Sequence, residues 1–348
     1  MDSQLVEQML KYHAEGLQIP LLTLFRLTTG CNAKCLYCRI WSRKKEDLPM
    51  DLIRSSIDDL YELGGREVRL TGGEPTMSPN FLPSIEYARK NGLQVSYITN
   101  GSADENVTEE SMRIGTKRVY ISIDSPYADC HDNLRRTDGL FESAMRTIDS
   151  INLYNDKHGT DTKIVVNMVV GVANFNQLPA MAELCMDKAV DELNPLQIKG
   201  KFNRMSVKQI RTYNSEIVPR LENVLNGGKL RIKSGDPFIF GTTEKEMEAS
   251  SKGDYTGTFY RNCSCAVSSF SSFVDEKGGV YICSNGPYLG EGFKIGSLEE
   301  RPFGDIWHGE AAKKARERCA TGLPEKCTGC DGANVSANRI AWDAFQVK

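Results

Sequence analysis

The sequence predicts an α/β protein: a parallel sheet carried by six successive β–α units, followed by a small cysteine-rich C-terminal domain. Three observations predict it. Strand-like and helix-like segments alternate from residue 18 to residue 205. The strand segments are apolar almost throughout, as strands covered on both faces are. Six of the eleven cysteines fall in the last ninety residues, after the alternation has ended.

The elements follow in order. Residues 1–17 form a short amphipathic helix, with Leu5, Met9 and Leu10 on one face. Strands are expected at 21–29, 67–72, 94–100, 118–124, 163–172 and 192–200. Helices are expected between them at 50–64, 81–92, 107–115, 141–155 and 177–189; in the first of these Leu52, Ile57, Leu60 and Leu63 recur at helical spacing. In such a sheet the functional groups collect at the C-terminal ends of the strands. The alternation alone leaves open whether the sheet is doubly wound or a partial barrel. After residue 205 one long helix is expected to residue 228, and the polar stretch to residue 258 reads as a linker or flexible loop. Residues 206–258 thus join the first domain, 18–205, to the last, 259–348.

A chain of 348 residues has ample sequence for a core. With 43 basic and 46 acidic residues the net charge is −3, which gives no support to an electrostatic nucleic-acid or membrane-surface binder. The longest apolar stretch, "IVVNMVVGVANF", is too short and too polar to span a bilayer. The N-terminus lacks the basic-then-apolar pattern of a signal peptide. An odd number of cysteines at short spacings, without such a signal, points to a cytoplasmic, reducing setting and metal-bound thiolates.

Two stretches carry the chemistry. "TTGCNAKCLYCRIW" follows the first strand and holds Cys31, Cys35 and Cys38. Soft thiolates at this density select zinc, copper or iron–sulphur, and three of them leave one coordination position open. Half a zinc site completed by a distant residue is the plainer alternative, although four histidines leave few residues to complete it. "TGGEPTMSP" follows the second strand, with Gly72 and Gly73 allowing close backbone approach to a ligand and Glu74 able to accept hydrogen bonds from an amine.

Together these motifs resemble those of the radical S-adenosylmethionine (radical SAM) superfamily. That signature is C-x3-C-x-aromatic-C, with Tyr37 as the aromatic, plus a GGEP-type turn. The resemblance covers roughly residues 18–205 and implies a partial (β/α)6 barrel. It implies that Cys31, Cys35 and Cys38 hold three irons of a 4Fe–4S cluster, and that S-adenosylmethionine binds the fourth through its amino and carboxylate groups. Reduction by an external electron donor such as flavodoxin or ferredoxin would then release methionine and a 5′-deoxyadenosyl radical, which abstracts hydrogen from a C–H bond. By the same resemblance Gly72, Gly73 and Glu74 meet the methionine amino group. Thr99 and Asn100 are polar contacts, and Ser122 and Asp124 lie in "ISIDSP", where Ser125 replaces the usual glycine. Arg135, in "HDNLRR", is a candidate partner for the cofactor carboxylate. His131 reads as a helix-start residue, and Cys130 and Cys185 as plain buried thiols.

The C-terminal cysteines are Cys263, Cys265, Cys283, Cys319, Cys327 and Cys330. "FVDEKGGVYICSN" reads as a hairpin turning at Gly278 and Gly279 and presenting Cys283. A zinc ribbon is the plainer alternative. With the "GSLEE…IW" phrase and the closing "CTGC", the region resembles the SPASM and twitch extensions of radical SAM enzymes. No cysteine follows Cys330, so the resemblance implies a twitch-like domain with one auxiliary 4Fe–4S cluster on Cys265, Cys283, Cys327 and Cys330. Cys263 competes with Cys265, and Cys319 is a spare that could be a ligand in a non-standard arrangement.

The twitch resemblance implies oxidation of a small hydroxylated molecule, a sugar, aminocyclitol or nucleoside, with the auxiliary cluster taking an electron. Lys199, Lys201 and Arg204, at and just past the sixth strand, are then candidates for the base, against the plainer reading of a solvated basic edge. A ribosomal-peptide maturase forming thioether or carbon–carbon crosslinks is a second expectation. Only about twenty residues precede the first strand, fewer than an N-terminal peptide-binding module needs, though such a module can be a separate protein. A redox-neutral sugar or sugar-acid decarboxylase or epimerase is a third. An iron–sulphur electron carrier or zinc-stabilised protein is the non-enzymatic alternative, opposed by the intact GGEP turn.

Overall fold

The apolar runs become a row of parallel strands: β1 (Leu22–Arg26), β2 (Glu67–Thr71), β3 (Gln94–Thr99), β4 (Arg118–Ser122), β5 (Lys163–Val170), β6 (Glu192–Gln197) and β7 (Arg231–Ile232). The computed structural model describes residues 3–198, 202–255, 264–290, 292–322, 324, 325, 327, 328, 330 and 332–346. Helix α1 (Ser3–Ala14) precedes the strands, and α2 (Met50–Glu62), α3 (Phe81–Lys90), α4 (Glu105–Ile114), α5 (Ala128–Arg135), α6 (Leu140–His158) and α7 (Leu178–Asp187) follow them in turn. Ile53, Ile57 and Leu60 of α2, Ile85 of α3 and Ile148 of α6 pack with Val68, Val95, Val119 and Val166 of the strands in one continuous apolar core. That core lies between the helices and the outer face of the sheet.

The inner face is polar, and it shows that the sheet is curled. Arg69 of β2 lies 4.5 Å from the Tyr120 ring of β4, and Lys233, one residue past β7, lies 5.1 Å from the same ring. Flat, β2 and β7 would be about 24 Å apart at the usual strand spacing. Both can reach Tyr120 only inside a partial barrel, which settles the choice the alternation left open.

The C-terminal region continues this sheet. Strands β8 (Ser271–Val274) and β9 (Gly279–Tyr281) form the expected hairpin, and β10 (Lys294–Ser297) pairs antiparallel with β9. Gly278, in the turn, has φ +74°, a conformation favoured by glycine. Beyond the hairpin's local pairing, β8 pairs in parallel with β1, from Leu22↔Ser271 to Phe25↔Val274. Thr23 and Ser272 reinforce the join at 2.8 Å.

Residues 206–255 correct the expectation of a helix and a linker over 206–258. The long helix is α8 (Val207–Thr212) and α9 (Val218–Leu225) with a π-helical turn, Tyr213–Ile217, between them. Pro219 has no N–H to donate back to Ser215, and the helix widens over the turn before it. The polar stretch then supplies β7 and α10 (Glu244–Lys252), which starts at a Thr243/Glu246 capping box. The sequence hid these elements because β7 has only two residues and α10 buries little. Helices α11 (Gly286–Leu289), α12 (Phe303–His308), α13 (Glu310–Ala320) and α14 (Gly332–Gln346) complete the chain. Among the described residues no helix is long and apolar enough to cross a membrane.

Candidate functional site

The loop that carries Cys31, Cys35 and Cys38 leaves β1 at the C-terminal end of the sheet, and four neighbours hold it. From the β2 loop, Gly73 N–H donates to the Thr28 carbonyl and Glu74 N–H to the Gly30 carbonyl, both at 2.8 Å. From the β3 loop, the Asn100 amide donates to the Asn32 side-chain oxygen at 2.9 Å. At the end of α5, the Arg135 and Leu134 carbonyls accept from Lys34 N–H and Leu36 N–H at 3.1 and 3.0 Å. From the end of β4, Asp124 accepts the Tyr37 hydroxyl. Cys35 is buried, and Cys31 and Cys38 are partly exposed. Burial pushes the Cys31 thiol up to about 11 and raises Cys35 as well, so loading a metal must displace their protons.

The glycines of the GGEP turn have a different reason from the one the sequence suggests. A Cβ on Gly73 would lie 2.8 Å from the Cys31 Cβ and closer still to the Gly30 carbonyl oxygen; one on Gly72 would lie 2.7 Å from the Thr28 carbonyl. They let the turn press against the cysteine loop. Gly73→Ala is therefore expected to push that loop out of place, with a stability loss of about 1–3 kcal/mol and a clear fall in iron retained after reconstitution. Iron per chain and a urea melt check both.

Glu74 is fully buried. One of its oxygens accepts from the Thr76 and Thr99 hydroxyls, each at 2.8 Å, and the other from Asn100 N–H at 2.7 Å. Burial raises its pKa, and these donors oppose the rise. Glu74 and Thr99 therefore tie the β2 and β3 loops together, and Asn100 passes that order on to the cysteine loop.

Asp124 is the other hub. Besides Tyr37 it accepts Arg135 Nε at 2.9 Å and Val169 N–H at 3.0 Å. Burial alone would lower the Arg135 pKa, but Asp124, Tyr37 and Cys35 outweigh it and the guanidinium stays charged. Its Nε is thus committed to Asp124. Asn174, missed in the sequence, donates to the Asp124 carbonyl at 2.6 Å and the Val169 carbonyl at 2.8 Å.

His131 is more than a helix-start residue. It is fully buried, its Nδ1 accepts Asp124 N–H at 3.1 Å, and its Nε2 has no partner. Burial, then Arg135, lowers its pKa to about 4. The folded state therefore binds fewer protons than the unfolded state between that value and about 6.5, and stability falls as pH drops through this window, by at most about 3 kcal/mol. His131→Asn, whose oxygen can accept the same N–H, is expected to flatten this loss in urea melts across the window.

The remaining expected residues divide. Ser122 ends β4 and is partly exposed, paired in register with Asn167. Cys185 is a buried thiol as expected, but Cys130 is partly exposed. Lys199, Lys201 and Cys263 lie outside the described residues. Arg204 does not stand free as a base: its guanidinium donates to the Lys252 carbonyl at the end of α10, against Gly253. Glu276, in the C-terminal hairpin turn, also went unread. It is buried, pairs with Arg26 at 3.0 Å and with Arg43 of the cysteine loop, and so couples the two cysteine regions. Nothing in the local "DEKGG" pattern distinguishes it from a solvated turn acid.

The C-terminal cysteines meet at a second place. Cys265, Cys283, Cys319, Cys327 and Cys330 line one cavity, with about 480 Å³ of space between atoms, its solvent-open part included. Asn338 donates to the Cys265 sulphur at 3.4 Å.

Both sites fit iron–sulphur clusters by their donors. Each offers soft thiols from cysteine alone, which is the ligand set of such clusters. Three thiols on a loop strapped to four neighbours leave one cluster position for a further ligand. The five-thiol cavity has enough for a closed cluster.

Comparison with known proteins agrees with this reading. The radical SAM superfamily matches residues 25–185, and the SPASM iron–sulphur cluster-binding domain matches residues 263–331. An AdoMet-dependent heme synthase from Methanosarcina barkeri is 26% identical over 343 residues, covering 91% of this chain and 90% of its own. The mycofactocin maturase MftC of Mycolicibacterium smegmatis is 25% identical over 350 residues, covering 96% and 83%. In structure, Streptococcus suis SuiB bound to its precursor peptide SuiA superimposes with a TM-score of 0.66 at 13% identity, over 93% of this chain and 73% of that one.

These findings overturn the expected sugar, aminocyclitol or nucleoside substrate. The curated relatives that match nearly the whole chain include this maturase and a PqqA peptide cyclase from Xanthomonas campestris, 23% identical over 93% of this chain and 85% of its own. The base expected from Lys199, Lys201 and Arg204 for hydroxyl oxidation falls with that reading. The error came from inferring substrate from the auxiliary domain's cysteine count, which constrains the cluster and not the molecule beside it. The strapped three-cysteine loop, the GGEP turn packed against it and the thiol-lined C-terminal cavity leave one conclusion: the chain belongs to the radical SAM superfamily and is an S-adenosylmethionine-dependent enzyme with a C-terminal SPASM iron–sulphur domain.

Proposed function

We propose that the enzyme modifies a peptide, closing a thioether or carbon–carbon crosslink in a ribosomally made precursor. The observation that carries this reading is likeness along nearly the whole chain, both modules included, to a maturase. The mouth of the barrel supports it. Met77, Tyr127, Val172 and Phe202, from the loops after β2, β4, β5 and β6, are large apolar side chains exposed on one face, a surface suited to an extended chain. When bound, the reduced cluster and S-adenosylmethionine supply the 5′-deoxyadenosyl radical that takes a hydrogen atom from the substrate. The chain's part is to fix the cysteine loop through Glu74, Asn100 and Asp124 and to direct Arg135 at the cofactor carboxylate. The auxiliary site belongs to the same reading as an electron acceptor, with one cluster.

An external one-electron donor, flavodoxin or ferredoxin in type, completes the reaction in the cytoplasm. Lys34, Arg39 and Lys44 of the cysteine loop are exposed and make no ion pair among the described residues. They suit an acidic partner.

The heme synthase relative favours a second reading, removal of hydrogen from a side chain of an iron porphyrin. One experiment separates the two. The anaerobically reconstituted enzyme is given S-adenosylmethionine, a reductant and either a panel of cysteine-containing linear peptides or an iron porphyrin with propionate side chains. A peptide product lighter by two hydrogens, with one 5′-deoxyadenosine formed per product, is expected. Turnover of the porphyrin alone would replace the peptide reading.

A further inference from the structure

Five thiols line the C-terminal cavity, one more than a closed four-thiol cluster takes. Spacing leaves Cys319 spare. The structure does not: it is the penultimate residue of α13, only 4% exposed, and lines the cavity with the others. Cys265 N–H donates to the Cys319 carbonyl at 2.8 Å, so these two residues are adjacent and enter from one wall. Cys283 arrives separately from the end of the hairpin, and Cys327 and Cys330 from the stretch before α14.

We propose that Cys265 and Cys319 are alternative ligands for one corner of the auxiliary cluster. This rests on the auxiliary cluster and not on the substrate reading.

The test uses the full chain in a Cys263→Ala background, which removes the thiol two residues before Cys265 in the sequence. Iron per chain is assayed after anaerobic reconstitution, and the reduced clusters are read by electron paramagnetic resonance. Cys265→Ala and Cys319→Ala are each expected to keep about eight irons, with different auxiliary spectra; the double variant and Cys283→Ala are expected to keep about four. Loss of the auxiliary irons from Cys265→Ala alone would overturn the proposal, as would a double variant that keeps all eight. The S-adenosylmethionine-site cluster reports folding in every variant, and Cys265→Ser replaces any alanine variant that lacks it.

Discussion

Replacing Cys31, Cys35 and Cys38 together by alanine is expected to abolish reductive cleavage of S-adenosylmethionine and to lower the iron content from about eight to about four per chain. The three thiols are the whole of the protein's donor set at that loop. Cys31 and Cys38 are partly exposed, so a cluster held there would be reached from the surface. The auxiliary irons should stay, because the five thiols of the C-terminal cavity are on other elements. Iron assay together with chromatography for 5′-deoxyadenosine makes the check. Continued cleavage by the triple variant would place the reaction elsewhere in the molecule.

Asp124→Ala is expected to cost about 3–5 kcal/mol of stability, because it leaves the buried Arg135 guanidinium without its counter-charge. It also removes the acceptor of the Tyr37 hydroxyl and of Val169 N–H. The variant should therefore lose the cysteine loop's hold on β4 as well, and retain less iron at the S-adenosylmethionine site. Asp124→Asn, which keeps one acceptor oxygen, should fall between this variant and the wild type. Urea denaturation at neutral pH and iron per chain measure both effects. An unfolding midpoint equal to the wild type's would mean that Arg135 finds another partner.

The coupling through Glu276 explains why the two cysteine regions belong to one structure. Its carboxylate holds Arg26 at the end of β1 and Arg43 a few residues past Cys38, while β8 of the same hairpin pairs with β1. The C-terminal region is therefore built onto the strand that leads into the first cysteine loop. Its position is set by backbone pairing and a buried ion pair together.

By itself the sequence determined what depends on neighbours along the chain. Six β–α units were legible because strands buried on both faces and amphipathic helices have different periods. The cysteine loop and the GGEP turn were legible because ligand spacing and glycine are local requirements. The hairpin at Gly278 was legible for the same reason. Tertiary structure decided what depends on residues far apart. The curl of the sheet appears only when Arg69 and Lys233 meet Tyr120. Glycines at 72 and 73 are required by the cysteine loop pressed against them, some forty residues earlier in the chain. Glu74 looks like a ligand in sequence, and in space it ties the β2 and β3 loops together. Cys319 looks spare in sequence and lines the auxiliary cavity, because a helix end and a strand-side loop bring it beside Cys265. Spacing reports the ligands that lie near one another in the chain; only the packed fold reports the others.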